Sequence, residues 1–317
     1  GNASNGIGLF PGEVMLSVNM NIQHIGWRHD AIPENDSYLG DHLGTLDSYL
    51  IIPGLTVGIS DYLNFSYSQT IGVRSMHWGG DGASDHHRSE TSLTDYDNSN
   101  GGVFGDARLK LRYLYKNTGM KEGNRVYFGF GVLIPSKNVL TSSPFFETGE
   151  VEPHRHFSLS EGAYKGLLEF QIFKKKSVNP VFYGLVSNIE IPIYESKYGY
   201  TPGITYNLTS SLIYRISSKA KILPSGLSLG LSFVGTTEAS WNEEIAKNSE
   251  SQLLVPSIGG SWQLSKGTLS FSLQKPFFLT GLSNDDSDGD LDTNDKANAI
   301  ELVIGYRRNL GYLIPWL

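Results

Sequence analysis

Cysteine is absent from this chain of 317 residues. Without a thiolate there is no disulfide scaffold, no Cys-ligated zinc site and no thiol nucleophile. Charge is scarce as well: 18% of residues are Asp, Glu, Lys or Arg, against about 25% in ordinary soluble domains. The helix-forming charged and aliphatic residues are too few for a coiled coil. No run of about 18 apolar residues occurs, so no segment reads as a membrane-spanning helix. The net charge is −7 and the pI about 5.6, which argues against a nucleic-acid partner. Nor is there a Gly-x-Ser-x-Gly nucleophile elbow. Gly79-Gly80-Asp81-Gly82 lacks a following helix and does not read as a phosphate loop. The chain therefore reads as a non-enzyme. No N-terminal plug domain of the kind carried by energy-coupled transporters is visible. The opening Gly1-Asn2-Ala3-Ser4 reads as the mature end left after removal of a signal peptide.

What the chain does have is glycine and aromatics: 36 Gly, 17 Tyr, 15 Phe and 5 Trp. That many rings exclude a disordered acidic segment. The dominant pattern has period two. Leu109, Leu111, Tyr113 and Tyr115 alternate with Arg108, Lys110, Arg112 and Leu114, and Leu227, Leu229, Leu231 and Phe233 alternate with Ser228, Gly230, Ser232 and Val234. About twelve such runs occur, near 13–27, 48–60, 62–76, 104–116, 124–136, 160–174, 180–194, 199–216, 226–238, 251–264, 268–279 and 298–310. They exceed the usual strand length of ~5–6 residues and match the ~9–11 residues that a tilted strand needs to cross a bilayer. The connections between them alternate long and short, apart from the seventh, near 195–198.

These features predict an all-β chain forming one domain over residues 1–317. The expected architecture is a transmembrane up-and-down antiparallel β-barrel of about twelve strands in the bacterial outer membrane. Its long loops would be extracellular, its short turns periplasmic, and lipid its surrounding partner. Period two alone also fits a soluble sandwich or barrel. Strand length and alternating loops favour the membrane barrel. So do aromatics near run ends: Trp27, Tyr49, Tyr62, Trp78, Tyr113, Tyr115, Tyr214, Trp241, Trp262 and Tyr306 read as interfacial girdles. The short turns are basic, as at Lys174, Lys175 and Lys176, and the long loops acidic.

On the barrel reading, Arg108, Lys110, Arg112, Lys165, Glu169, Glu190, Arg215, Glu301 and Arg307 point inward and line the lumen. There they serve as a salt-bridged wall or as charge-selecting groups. Two loop features read as metal sites. Asn284, Asp286, Asp288, Asp290, Asp292 and Asp295 follow calcium-loop spacing, with Gly289 at the sharp turn. The last ligand is Asp instead of Glu and no helices flank the loop, so a solvated acidic tip fits the same residues. His86 and His87 beside Asp85, and His154 and His156 beside Glu152, offer imidazoles for a transition metal; polar loop filler fits equally. All eight histidines are expected in or beside the first three long loops. With no His in a strand interior, the Ser–His pair of outer-membrane phospholipases is disfavoured.

Three short motifs carry a family resemblance. Gly58-Ile59-Ser60-Asp61 closes one run, Gly105-Asp106-Ala107-Arg108-Leu109 opens another, and Gly129-Phe130-Gly131-Val132-Leu133-Ile134-Pro135 ends a third. Over residues 50–136 the chain resembles the outer-membrane transporters of the meta-pathway phenol-degradation family. The resemblance implies a barrel passing small, often apolar, molecules; no functional residues are carried over from it. The expected function is an outer-membrane channel or transport barrel for small solutes, porin-like, with loops over its outer mouth and calcium as a candidate cofactor. The alternative is a non-transporting scaffold that binds extracellular protein partners or metal ions through its long loops.

Overall fold

The computed structural model describes residues 8–29, 42–79, 89–119, 122–144, 158–217, 220, 222–246, 249–280 and 296–317. Twelve long strands dominate: β1 Glu13–His29, β2 His42–Gly58, β3 Leu63–Gly79, β4 Phe104–Asn117, β5 Gly123–Ile134, β6 Lys165–Lys175, β7 Phe182–Pro192, β8 Thr205–Arg215, β9 Gly226–Thr236, β10 Ser251–Leu264, β11 Gly267–Gln274 and β12 Lys296–Tyr312. Each pairs antiparallel with the next. β12 returns to β1, from Glu13 opposite Tyr312 to Arg28 opposite Lys296. The sheet is thus a closed up-and-down barrel whose ladder has no free edge. A short strand, Phe277–Thr280, prolongs β11 along β10.

All twelve expected runs are strands of the barrel, in the expected order. Two boundaries differ for a tertiary reason. The run expected at 160–174 starts at Lys165, because the residues before it fold into the lumen. The run expected at 199–216 is split: Tyr200–Thr201 leaves the barrel and pairs with Ser240–Trp241, which pairs in turn with Glu244–Ile245. The seventh connection is therefore the long segment 193–204, not a short exception at 195–198. Asn242 and Glu243 turn the small hairpin with φ of 50° and 72°, the conformation of a two-residue primed turn. Gly199, itself at φ +81°, lies against it; a Cβ there would sit 2.0 Å from Asn242 Oδ1.

The period-two pattern becomes two faces. Outward side chains such as Phe130, Leu168, Leu229, Leu231 and Ile258 are about half exposed (46–56%), an apolar belt open to hydrocarbon. Tyr62 with Tyr113, at 6.5 Å, and Tyr115 with Phe128, at 5.6 Å, form ring pairs near the periplasmic ends. Three expected girdle residues lie elsewhere. Trp27 and Trp78 are on the inner face, 5.3 Å apart. Gly44 lies between them on β2, and Trp27 Nε1 lies 2.0 Å from where its Cβ would be. Trp241 is buried in the extracellular cap.

The belt also explains a polar outward residue. The β3–β4 ladder is irregular between Gln69 and Ile71. The Gln69 side-chain amide donates to the carbonyls of Thr70, at 3.0 Å, and Gly105, at 2.7 Å, and its oxygen accepts from the Tyr67 hydroxyl at 3.1 Å. Carbonyls without partners in hydrocarbon are costly, so Gln69 seals the break. Gln69→Leu should destabilise the folded barrel by about 2 kcal/mol, read as a lower unfolding midpoint in detergent. An unchanged midpoint would show that the break needs no seal.

Candidate functional site

The lumen is built from the inward residues. On β4, Arg108, Lys110 and Arg112 alternate with lipid-facing Leu109, Leu111 and Tyr113, so three cations share one face. Arg112 and Lys110 lie opposite Gly129 and Gly131 of β5, which lie opposite Glu169 and Leu167 of β6. A Cβ on Gly129 would approach Glu169 Oε1 to 3.0 Å. Its absence lets side chains from β4 reach β6 across β5. Arg112 donates through Nε to Glu169 Oε1 at 2.7 Å and through Nη2 to Oε2 at 3.3 Å, and Lys110 Nζ donates to Oε2 at 2.5 Å. Arg108 reaches Glu190 of β7 at 3.1 Å. Lys165 pairs with Glu161. The inward residues of β5 and β6 are sealed: Tyr127, Leu133, Lys165, Leu167, Glu169, Gln171 and Phe173 are all buried, none more than 6% exposed.

At the extracellular end the connections interlock. Ser99–Asn100 pairs with Val139–Leu140. Asn138 donates to the carbonyls of Ser92 and Gly102, both at 2.7 Å, and accepts from the Leu159 amide at 2.9 Å. Ala239, Trp241 and Ala246 form a small core against which Leu140, Tyr198 and Tyr200 pack. Asn100 donates to the Tyr198 hydroxyl at 3.1 Å. Burial, with the Glu161 carboxylate nearby, pushes the Tyr200 phenol well above its ordinary pKa, so it stays neutral. The segment before β6 enters the lumen. The Ser158 carbonyl accepts from Arg74 at 3.1 Å, and the Leu159 carbonyl lies 3.0 Å from where a Cβ on Gly105 would be.

At the periplasmic end, residues 8–12 cross the inner face. The Phe10 carbonyl lies 2.0 Å from the Cβ position of Gly58 on β2, and a Cβ on Gly8 would lie 3.3 Å from the Tyr127 hydroxyl on β5. Leu9 is buried. Between this segment and the β10–β11 turn is a cavity of about 450 Å³, whose lining includes Leu9, Met15, Gln263, Thr268 and Arg307.

The far wall is different. The inward positions of β9 to β11 include Ser228, Gly230, Ser232, Ser257, Gly259, Ser270 and Ser272. Most of them are only half-buried, so solvent reaches them. The half of the lumen along β4–β7 is the more filled and the half along β8–β12 the more open, although Val255, Ala299 and Val303 are buried there too.

Of the residues expected to line the lumen, Arg108, Lys110, Arg112, Lys165, Glu169 and Glu190 come together in the filled half. Glu301 and Arg307 face the open half from β12. Arg215 is instead exposed at the periplasmic end of β8, its backbone clamped by Asn179 at 2.8 and 2.9 Å. Asn284, Asp286, Asp288, Asp290, Asp292 and Asp295, with His86, His87, His154 and His156, lie outside the described residues. Among the described residues no group of three or more His, Asp or Glu is placed to hold a metal ion. The expectation that no histidine lies within a strand fails at His24 and His77, because β1 and β3 extend beyond the apolar belt. His24 follows outward Leu16, Val18, Met20 and Ile22, and its Nδ1 lies 2.7 Å from Asp47 Oδ1 of β2. The pairing is with a carboxylate, not the serine that a lipase pair needs. Sequence reasoning missed Glu161, Gly129 and the N-terminal crossing; of these only the Gly-x-Gly spacing opposite the β4 cations was a usable signal.

No family model matches the chain, and no curated protein matches its sequence. Solved structures do match. The crystal structure of an outer membrane channel from Pseudomonas putida F1 aligns over 98% of this chain and 100% of its own, with a TM-score of 0.57 and 12% identity. A Pseudomonas aeruginosa FadL homologue aligns over 98% and 97%, at a TM-score of 0.45 and 10% identity. A mutant of the TodX monoaromatic hydrocarbon channel aligns over 95% and 91%, at 0.45 and 11%. The first of these likenesses establishes the barrel fold.

Removing one member of a buried ion cluster leaves the others uncompensated. Glu169→Gln should therefore destabilise the barrel by about 3 kcal/mol, measured by denaturant unfolding in detergent micelles. A loss too small to measure would mean that water, not Glu169, satisfies Arg112 and Lys110.

Proposed function

We propose that the chain is an outer-membrane channel for small solutes. One observation carries this reading: a solvent-accessible wall of Ser, Gly and Thr runs down the inside of a barrel whose outside is apolar. A scaffold held only by its own packing has no need of a wetted inner wall. The fold shared with the P. putida channel over essentially the whole chain supports transport and an outer-membrane location. The resemblance of residues 50–136 to the meta-pathway phenol-degradation transporters favours small, often apolar, molecules as the solute.

The scaffold reading keeps one observation in its favour, the interlocked extracellular cap, whose hydrogen bonds and small core give a pre-formed surface for an outside partner. Within either reading, Asn284, Asp286, Asp288, Asp290, Asp292 and Asp295 would supply oxygens for calcium, and His86, His87, His154 and His156 imidazoles for a transition metal. Both assignments rest on spacing in the sequence.

Purified barrel reconstituted in planar lipid bilayers should give discrete conductance steps in potassium chloride, and liposomes containing it should take up phenol-sized solutes faster than empty ones. No conductance and no uptake from correctly folded protein would overturn the channel reading in favour of the scaffold.

A further inference from the structure

We infer that the solute path is eccentric, running between the small-residue wall of β9–β12 and the filled half of the lumen, and that Glu301 selects for cations along it. The inference rests on the channel reading and goes beyond it by naming the route and the selecting group.

Three independent observations locate the route. The first is accessibility. The inward side chains of β5 and β6 are buried, whereas Ser228, Ser257, Ser270 and Ser272 are half-buried, with Val255, Ala299 and Val303 the buried exceptions on that side. The second is what faces the inward glycines. A Cβ on Gly105 would meet the Leu159 carbonyl, and one on Gly58 the Phe10 carbonyl, so lumen-filling segments cover those walls. On Gly230 and Gly259 the nearest atoms belong to the same wall: Ser257 and Ser210, or Phe271, Ser228 and Ser272. The third is the cavity of about 450 Å³ at the periplasmic end, which lies beside β10–β12 and includes Thr268 and Arg307 in its lining. Thr268 and Arg307 are partners in the β11–β12 ladder, on the same inner face as Ser272 and Glu301. On the proposed route the cavity is the periplasmic end of this face.

Along this route the charges are unequal. In the filled half, Glu169 is held by Arg112 and Lys110, and Glu190 by Arg108. Those carboxylates are neutralised by their neighbours. Among the described residues no Lys or Arg side chain forms an ion pair with Glu301. Its register neighbours are Gln23 on β1 and Gln274 on β11, so a carboxylate stands between two carboxamides. That row offers acceptor oxygens to a cation or to a hydrogen-bond donor and repels anions. Arg307 is six positions further along β12, roughly 20 Å at ~3.3 Å per residue. This exceeds the ~8 Å screening length at physiological salt, so Arg307 does not neutralise Glu301.

The test is reversal potential in a potassium chloride gradient across planar bilayers. Wild-type protein should prefer potassium over chloride, and Glu301→Gln should lower the permeability ratio at least about twofold, the effect of one unit charge acting through water at ~8 Å. Glu301→Asp should keep the preference. Glu244→Gln, an exposed carboxylate in the cap, should leave it in place. A second variant does not depend on how well Glu301→Gln folds. Ser272→Cys, the only thiol in the chain, is modified after folding with a cationic methanethiosulfonate. Modification should reduce conductance and move the ratio toward chloride. Conducting protein whose selectivity ignores both Glu301→Gln and the modification at position 272 would overturn the route and the selecting role while leaving the channel reading intact. A non-conducting wild type would overturn both.

Discussion

A backbone amide inside a bilayer has no water to bond. Every N–H and C=O in the spanning region must find a partner in the protein, and for strands the solution is closure. Here β12 meets β1 in a ladder running from Glu13 opposite Tyr312 to Arg28 opposite Lys296. Once the ring is closed, strict alternation assigns every residue to lipid or to lumen, and the remaining features follow from that division. Gln69 is informative because it is on the wrong side by polarity. It is there because the ladder breaks beside it and its amide replaces the missing regularity.

Closure by twelve strands leaves more interior than the wall side chains alone fill. This chain fills it unevenly. Along β4–β7, long charged side chains cross the gap left by Gly129 and pair with Glu169 and Glu190. From above, residues 158–160 fold against Arg74 and Gly105; from below, residues 8–12 cross toward Tyr127. Along β8–β12 most inward side chains are short, with Gln274, Glu301 and Arg307 the longer ones, and of the N-terminal segment Leu9 lines the cavity beside Gln263 and Thr268. Such ion clusters add little net stability over an apolar filling, but they give a single arrangement, since each charge satisfies a particular neighbour. On the proposed route the filled half forms a partition and the more open half the passage.

Much of this was legible in the residue order. Period two and strand length exposed all twelve strands, because alternation is the direct imprint of a two-faced wall. The inward assignment of Arg108, Lys110, Arg112, Glu169 and Glu301 followed from parity. What parity does not carry is which residues meet. The Arg112–Glu169 pair depends on the β4–β5–β6 register and on a glycine in the intervening strand. Trp27 and Trp78 were misplaced as girdle rings because aromatics at strand ends suit either face, and only Gly44 between them shows which. His24 was misplaced because β1–β3 run past the apolar belt, so a strand there carries polar residues outward. The split of 199–216 was invisible because Tyr200–Thr201 has the composition of a strand and differs only in its partner.

The central claim is the direction of the two faces: apolar residues in lipid, small and charged residues enclosed. Since the chain has no cysteine, single thiols can be placed cleanly along β9 and labelled with a nitroxide in reconstituted protein. Labels at Leu227→Cys, Leu229→Cys and Leu231→Cys should be accessible to oxygen dissolved in the bilayer and shielded from a water-soluble nickel chelate. Labels at Ser228→Cys, Gly230→Cys and Ser232→Cys should show the reverse. An opposite alternation, or no alternation along the strand, would contradict the barrel's orientation and the channel built on it.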